Sequence, residues 1–278
     1  MILRKRALGE GWYPELEEET RLFLDEAAET IAENPPSRGA LACMVPHAGW
    51  YFSGALAARG IYTLDADAQT VVVLGGHLPP SGPVLYAEED GAETPLGVLE
   101  ADGEFRDALR ETLPGQSDTR ADNTVEIQLP LVKYFFPRSR LLHIRLPAAW
   151  ASFRSGKIIG ETARALGRKT VVIASTDLTH YGPNYGFTPR GIGRAALDWV
   201  KKTNDAAFIA SVIKGRARDI LTRAEEDRSA CSAGAVLGAL GFAQDRGAGN
   251  AVLVDYGTSA DRDMASSFVG YGVIAWYC

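Results

Sequence analysis

The sequence predicts one α/β domain spanning residues 1–278, with a central, mostly parallel or mixed β-sheet flanked by helices. Three observations predict it. Short apolar runs rich in valine, isoleucine and leucine recur at 41–45, 70–76, 141–146 and 170–174, as expected of strands buried on both faces. Stretches with apolar residues at helical spacing separate these runs. No linker, internal repeat or low-complexity tract interrupts the 278 residues, a length that supports a full core.

Taken in order, residues 15–33 carry Leu16, Phe23, Ala27, Ala28 and Ile31 at helical spacing behind an acidic start, which suits the positive end of a helix dipole. Pro35-Pro36 ends that helix. The run 41–45 stops at Pro46, and Gly49 and Gly54 let the chain turn back, so His47 sits at a strand's exit. A short helix is expected at 55–64. The β-branched run 70–76 closes on Gly75-Gly76 and leads straight into His77. The proline- and glycine-rich stretch 79–97 reads as a long loop or lid. A helix at 102–113 precedes an amphipathic segment at 124–135, which Pro130 should kink or shorten. A strand at 141–146, a helix at 155–166 and a strand at 170–174 follow, the last running into Ser175-Thr176-Asp177-Leu178-Thr179-His180-Tyr181-Gly182. Helical patterns fill 190–222. An Ala/Gly-rich helix at 229–240 is suited to close packing, and strands at 251–256 and 267–276 finish the sheet.

Composition narrows the function. With 46% hydrophobic and 23% charged residues the chain is ordinary for a globular protein. A net charge of −6 and a pI near 5.4 argue against a nucleic-acid partner, which needs a basic surface. No window has the length of a membrane span, and the basic Arg4-Lys5-Arg6 lacks the apolar core of a secretory signal. Three cysteines, Cys43, Cys231 and Cys278, make neither a disulfide framework nor a zinc-finger spacing, so a reducing, cytoplasmic setting is expected. The Gly-x-Ser-x-Gly elbow, the phosphate-binding P-loop and the His-Glu-x-x-His helix are absent, and no nucleotide cofactor is expected.

The chemistry-bearing residues gather where strands end. His47, His77 and the Asp177/His180 pair each follow a buried strand, and in an open α/β sheet ligands bind beyond the carboxyl ends of strands. One such histidine alone would ordinarily be a core residue satisfied by a carbonyl. Three exits in one pattern favour a site. Cys231 lies near the start of a predicted helix, where a dipole favours thiolate, although a small buried cysteine in a close-packed helix would look the same. Two imidazoles and a thiolate make a ligand set for Fe(II), Cu or Zn. A Cys231/His180 nucleophilic pair is the competing arrangement. His143, inside an apolar strand, reads as core, and Cys43 and Cys278 as structural.

These residues carry a resemblance that runs almost end to end. Ala7-Leu8-Gly9-Glu10-Gly11-Trp12-Tyr13-Pro14, Pro46-His47-Ala48-Gly49 with Ser53-Gly54, Gly76-His77 and Thr94-Pro95-Leu96-Gly97 carry its first half. Val125-Glu126-Ile127-Gln128-Leu129-Pro130, the Ser175–Gly182 stretch and Ser266-Ser267-Phe268-Val269-Gly270-Tyr271 carry the second. The chain resembles the MEMO family, whose bacterial members go by AmmeMemoRadiSam system protein B and whose fold is similar to class III extradiol dioxygenases. The resemblance implies iron or copper on His47, His77 and Cys231. It also implies a pocket in which Asp177 and His180 orient ligands or move protons, with Glu126 behind them. Asn123, Trp50 and Tyr181 are the expected substrate contacts. The chain departs from the family at Asp122-Asn123-Thr124, where Glu-His-Ser is usual. Asn123 hydrogen-bonds but cannot shuttle protons. Ser232 stands for a usual glycine and Trp50 for a usual tyrosine. A metal-dependent, dioxygenase-like oxidoreductase is the leading expectation. A non-catalytic module that binds a peptide or small molecule in the same pocket is the alternative, and metal-assisted or thiol hydrolysis the third. A radical enzyme of the same system is the implied protein partner.

Overall fold

In the computed structural model, which describes residues 1–278, four parallel strands form the centre of a nine-stranded sheet. They stand side by side in the order Ala42–Val45, Thr170–Ser175, Thr70–Gly75 and Arg140–Arg145. Antiparallel strands flank them: Phe268–Tyr277 pairs with Ala42–Val45 and carries both Asn250–Thr258 and His180–Tyr181, while Leu85–Tyr86 pairs with Arg140–Arg145. The sheet is therefore mixed, with four parallel strands at its centre, antiparallel pairings on either side of them, and a short parallel pair, Leu85–Tyr86 with Gln116–Ser117, at one edge.

Side-chain alternation explains why both faces are covered. Ala42, Met44, Val72, Leu74, Val172 and Ala174 point into one apolar layer, which includes residues of the helices Ala151–Ala165 and Ala233–Asp245. Cys43, Val45, Val71, Val73, Val171 and Ile173 point into the other, beneath Glu17–Glu33, Trp50–Tyr62 and Leu129–Phe135. A strand buried on both faces has no polar alternation to show, which is why these runs read as continuous. On the first face, a side chain at Gly156 would overlap the backbone at Gly238, so small residues let the two helices meet almost backbone to backbone.

Several elements differ from the sequence reading, each for a local reason. The stretch 79–97 is not one loop. It contains Leu85–Tyr86 and most of a hairpin, Gly91–Thr94 with Gly97–Glu100, whose first strand pairs with Leu3–Arg4 in a small three-stranded sheet. These strands are too short and glycine-rich to register as apolar runs. The segment 124–135 is two helices, Asn123–Glu126 and Leu129–Phe135, with Pro130 in the first turn of the second, where its missing N–H costs nothing. The helix placed at 55–64 begins at Trp50, because Trp50 is buried against Tyr13 and Phe23. The helix placed at 229–240 begins only at Ala233, leaving Cys231 in the connection before it. Within 190–222, a π-helical turn at Val200–Asn204 separates Arg194–Trp199 from Asp205–Ile213 and leaves the neighbours Asn204 and Asp205 both buried. No helix is long and apolar enough to cross a membrane.

Candidate metal centre

Strand register builds the site. Val45 is level with Ser175, and Leu74 with Ala174, so the second residue beyond each strand end is His47, Asp177 or His77. Adjacent strands lie about 4.8 Å apart, which sets the three side chains abreast at the carboxyl edge of the sheet. In strand order Asp177 falls between the two histidines, whose own rings meet in front of it. Cys231 comes to the same place from the far end of the sequence, its N–H donating to the Asp177 carbonyl at 3.2 Å, while Ser232 N–H donates to Thr176 Oγ1 at 3.1 Å.

His47, His77 and Cys231 bring one donor atom each within 4.8 Å of the others. Cys231 Sγ is 3.2 Å from His47 Nε2, and the two imidazole rings lie edge to face with centroids 5.0 Å apart. The second nitrogen of each ring is engaged away from the cluster, His47 Nδ1 with Ser175 Oγ and His77 Nδ1 with Asp122 Oδ2, both at 3.2 Å. Such partners fix ring orientation and leave Nε2 for a metal. Asp177 Oδ1 accepts the His47 N–H at 2.7 Å, and Gln128 Nε2 donates to Pro46 O and to Ser175 Oγ. Two imidazoles and a thiolate at this mutual spacing fit one ion with bonds of about 2.0–2.3 Å. The residues present therefore suit iron, copper or zinc.

Electrostatics prepare the same set. Burial alone would strip the proton from His47, but the Cys231 sulfur and the Asp177 carboxylate raise its pKa to about 9. Burial also opposes charge on His77, yet its hydrogen bonds to Asp122 and Cys231 raise it to about 10. For Cys231, burial pushes upward and the two imidazoles outweigh it, holding the thiol well below its usual range. The two histidines are thus the groups that draw the Cys231 thiol down. Burial holds the Asp177 carboxyl above the usual carboxylate range, although His47 pulls it back.

A cleft of about 360 Å³ opens over the histidines, walled by Trp12, Phe52, Tyr185 and Tyr271. Asn123, Asp177 and His180 line it too. His180 Nδ1–H donates to the Leu178 carbonyl at 3.1 Å, and Asn123 Nδ2 donates to the His47 carbonyl at 3.1 Å. Three expected site residues lie elsewhere. Glu126 accepts the N–H groups of Ala7 and Leu8 and the Tyr13 hydroxyl, so it anchors the N-terminal arm. Trp50 is buried with its Nε1–H on the Ile127 carbonyl, and Tyr181 is buried with its hydroxyl on the Gly191 carbonyl. Sequence reasoning passed over the aromatic walls Trp12 and Phe52, which sit in loop and helix-start positions without periodicity.

Comparison with known proteins agrees with this architecture. The family described as Memo-like protein matches residues 4–275. A MEMO1 family protein of Thermococcus onnurineus is 29% identical over 293 residues, covering 99% of each chain. One from Pyrococcus abyssi is 30% identical over 292 residues, covering 98% of this chain and 99% of its own. In fold, the chain resembles the crystal structure of an uncharacterized Escherichia coli K12 protein, with a TM-score of 0.53 at 11% identity over 84% of this chain and 99% of that one. The family match across nearly the whole chain and these relatives together place the protein in the Memo-like family.

Proposed function

We propose that this protein is a metal-dependent oxidoreductase that holds iron or copper on His47, His77 and Cys231 and acts on a small molecule in the cleft above them. The observation that carries the reading is the meeting of three donor atoms within 4.8 Å from positions 47, 77 and 231. Bound there, iron or copper supplies redox chemistry and open positions for O₂ and substrate, since three protein ligands leave room. The chain's own residues do the rest. His180 lines the cleft with its Nδ1 on the Leu178 carbonyl, and its ring is the group that takes a proton from a substrate hydroxyl. Asp177 holds the His47 backbone in place, and Asn123 fixes the same loop through its carbonyl. The four aromatic walls suit a planar ligand.

Purification without oxygen, followed by metal analysis, tests the reading. About one iron or copper per chain is expected, lost in His77→Ala. A preparation without stoichiometric iron or copper, unchanged by that substitution, overturns it. Oxygen uptake with catechol-type compounds then tests turnover. Saturable binding to the cleft with no oxygen uptake would support a non-catalytic binding module.

A further inference from the structure

We propose that Arg145 is the positioning residue of this cluster, gripping His77 through its backbone and its ring at once. The inference rests on the reading of His47, His77 and Cys231 as metal ligands. Arg145 ends the strand Arg140–Arg145, opposite Gly75, and is 5% exposed. Its Nε–H donates to the Gly76 carbonyl at 3.1 Å, immediately before His77. Nη2 donates to Asp122 Oδ2 at 3.0 Å, the oxygen that lies 3.2 Å from His77 Nδ1. Nη1 donates to Asp118 Oδ1 at 3.3 Å, and the other oxygen of Asp118 meets His143 Nε2 at 3.1 Å. One planar guanidinium thus joins three acceptors, and the chain of contacts behind it is anchored in the core.

His77 needs such a grip for two reasons. Its φ is +57°, in the left-handed region that non-glycine residues enter only when the surroundings hold them there. It is also the solvent-facing ligand, its side chain 35% exposed, so packing alone does not fix the ring. The same turn presses on the third ligand's segment, because a side chain at Gly76 would overlap Ser232, the neighbour of Cys231. A lysine at 145 offers one compact ammonium and cannot span Gly76, Asp122 and Asp118 together.

Three variants, Arg145→Lys, Arg145→Gln and Asp122→Asn, test the assignment with two measurements. The first is Co(II) titration of metal-free protein, followed by its thiolate charge-transfer band. The second is the proton NOE between the His47 and His77 rings without metal. Each variant is expected to bind Co(II) about 10–100-fold more weakly. The ring NOE should weaken or vanish, with thermal unfolding still cooperative. Arg145→Lys that binds Co(II) within about twofold of the wild type and keeps the NOE overturns the proposal, even where it lowers Tm, since a merely structural arginine would do that. Should Arg145→Gln fail to fold, Arg145→Lys and Asp122→Asn decide. Should the wild type bind no Co(II), the metal reading fails, and loss or retention of the NOE still decides for or against Arg145.

Discussion

Cys231 and Cys43 carry the same functional group and answer oppositely to burial. Cys43 lies inside a strand among apolar neighbours, and burial pushes its thiol up. Cys231 faces His47 and His77, which more than cancel the same penalty. In metal-free Cys278→Ser protein, iodoacetamide should alkylate Cys231 at a rate that holds nearly constant from about pH 8 down to about pH 6, while Cys43 stays unmodified until unfolding. A Cys231 rate that falls tenfold per pH unit over that range would refute the thiolate. Asp205 offers a second single-residue test. It accepts Thr179 N–H at 3.2 Å, the Thr179 hydroxyl and the Tyr256 hydroxyl at 2.7 Å, and so pins the loop bearing Asp177 and His180. Burial raises its pKa to about 6, although those hydrogen bonds pull it down. Because the folded state holds this proton more tightly than the unfolded one, its contribution to stability is complete below about pH 4. It is lost as pH rises through about pH 6. Urea unfolding from pH 4 to 7 should show that slope in the wild type and lack it in Asp205→Asn, and a pH-independent difference between the two would contradict the assignment.

Among the elements, the helix pair Ala151–Ala165 and Ala233–Asp245 matters most to the site, because the second helix follows Cys231 directly. Its close approach depends on Gly156 facing Gly238 and on Gly241 facing the Phe153 carbonyl. Gly156→Ala should cost about 1–3 kcal/mol by denaturant unfolding and weaken metal binding, since the helix can give way only by shifting the segment that bears Cys231. Unchanged metal affinity alongside lost stability would show that segment to be held independently. The sequence reading found an Ala/Gly-rich helix here but began it four residues early. Small residues continue through Ser229-Ala230-Cys231-Ser232, and nothing in their chemistry marks where the first helical turn forms.

Across the whole molecule, residues remote in sequence close the cleft. The N-terminal arm reaches it through Trp12 and is tied down by Glu126, whose carboxylate takes the N–H groups of Ala7 and Leu8 at 2.9 Å each. Glu126→Gln should ease opening of the arm by about 1–3 kcal/mol. The expected signs are faster tryptic cleavage at Arg4, Lys5 or Arg6 and weaker ligand binding, with metal affinity unchanged. A fall in metal affinity would instead give Glu126 a part in the cluster itself. The same separation explains why Glu126 read as a neighbour of the metal. Its motif is adjacent in sequence to Asn123, which does line the cleft, yet the Glu126 carboxylate is taken up by the N–H groups of Ala7 and Leu8 and the Tyr13 hydroxyl, partners more than 110 residues away that no local pattern signals.

The sequence by itself determined the α/β class, the four buried parallel strands and the placing of His47, His77 and Asp177 at their exits. A strand buried on both faces must be a continuous apolar run, and a polar residue just after its end has only the sheet's edge to occupy. Cys231 was legible as a ligating type that could join the two imidazoles, and the resemblance to the MEMO family implied the same set. Only the tertiary structure decided which partners complete them. The strand order sets Asp177 between the two histidines. Arg145 was silent because one arginine at a strand end carries no periodic signal, and its role arises from three acceptors contributed by Gly76, Asp118 and Asp122. Trp50 and Tyr181, which read as cleft residues, are buried instead, where the Ile127 and Gly191 carbonyls accept their indole N–H and hydroxyl.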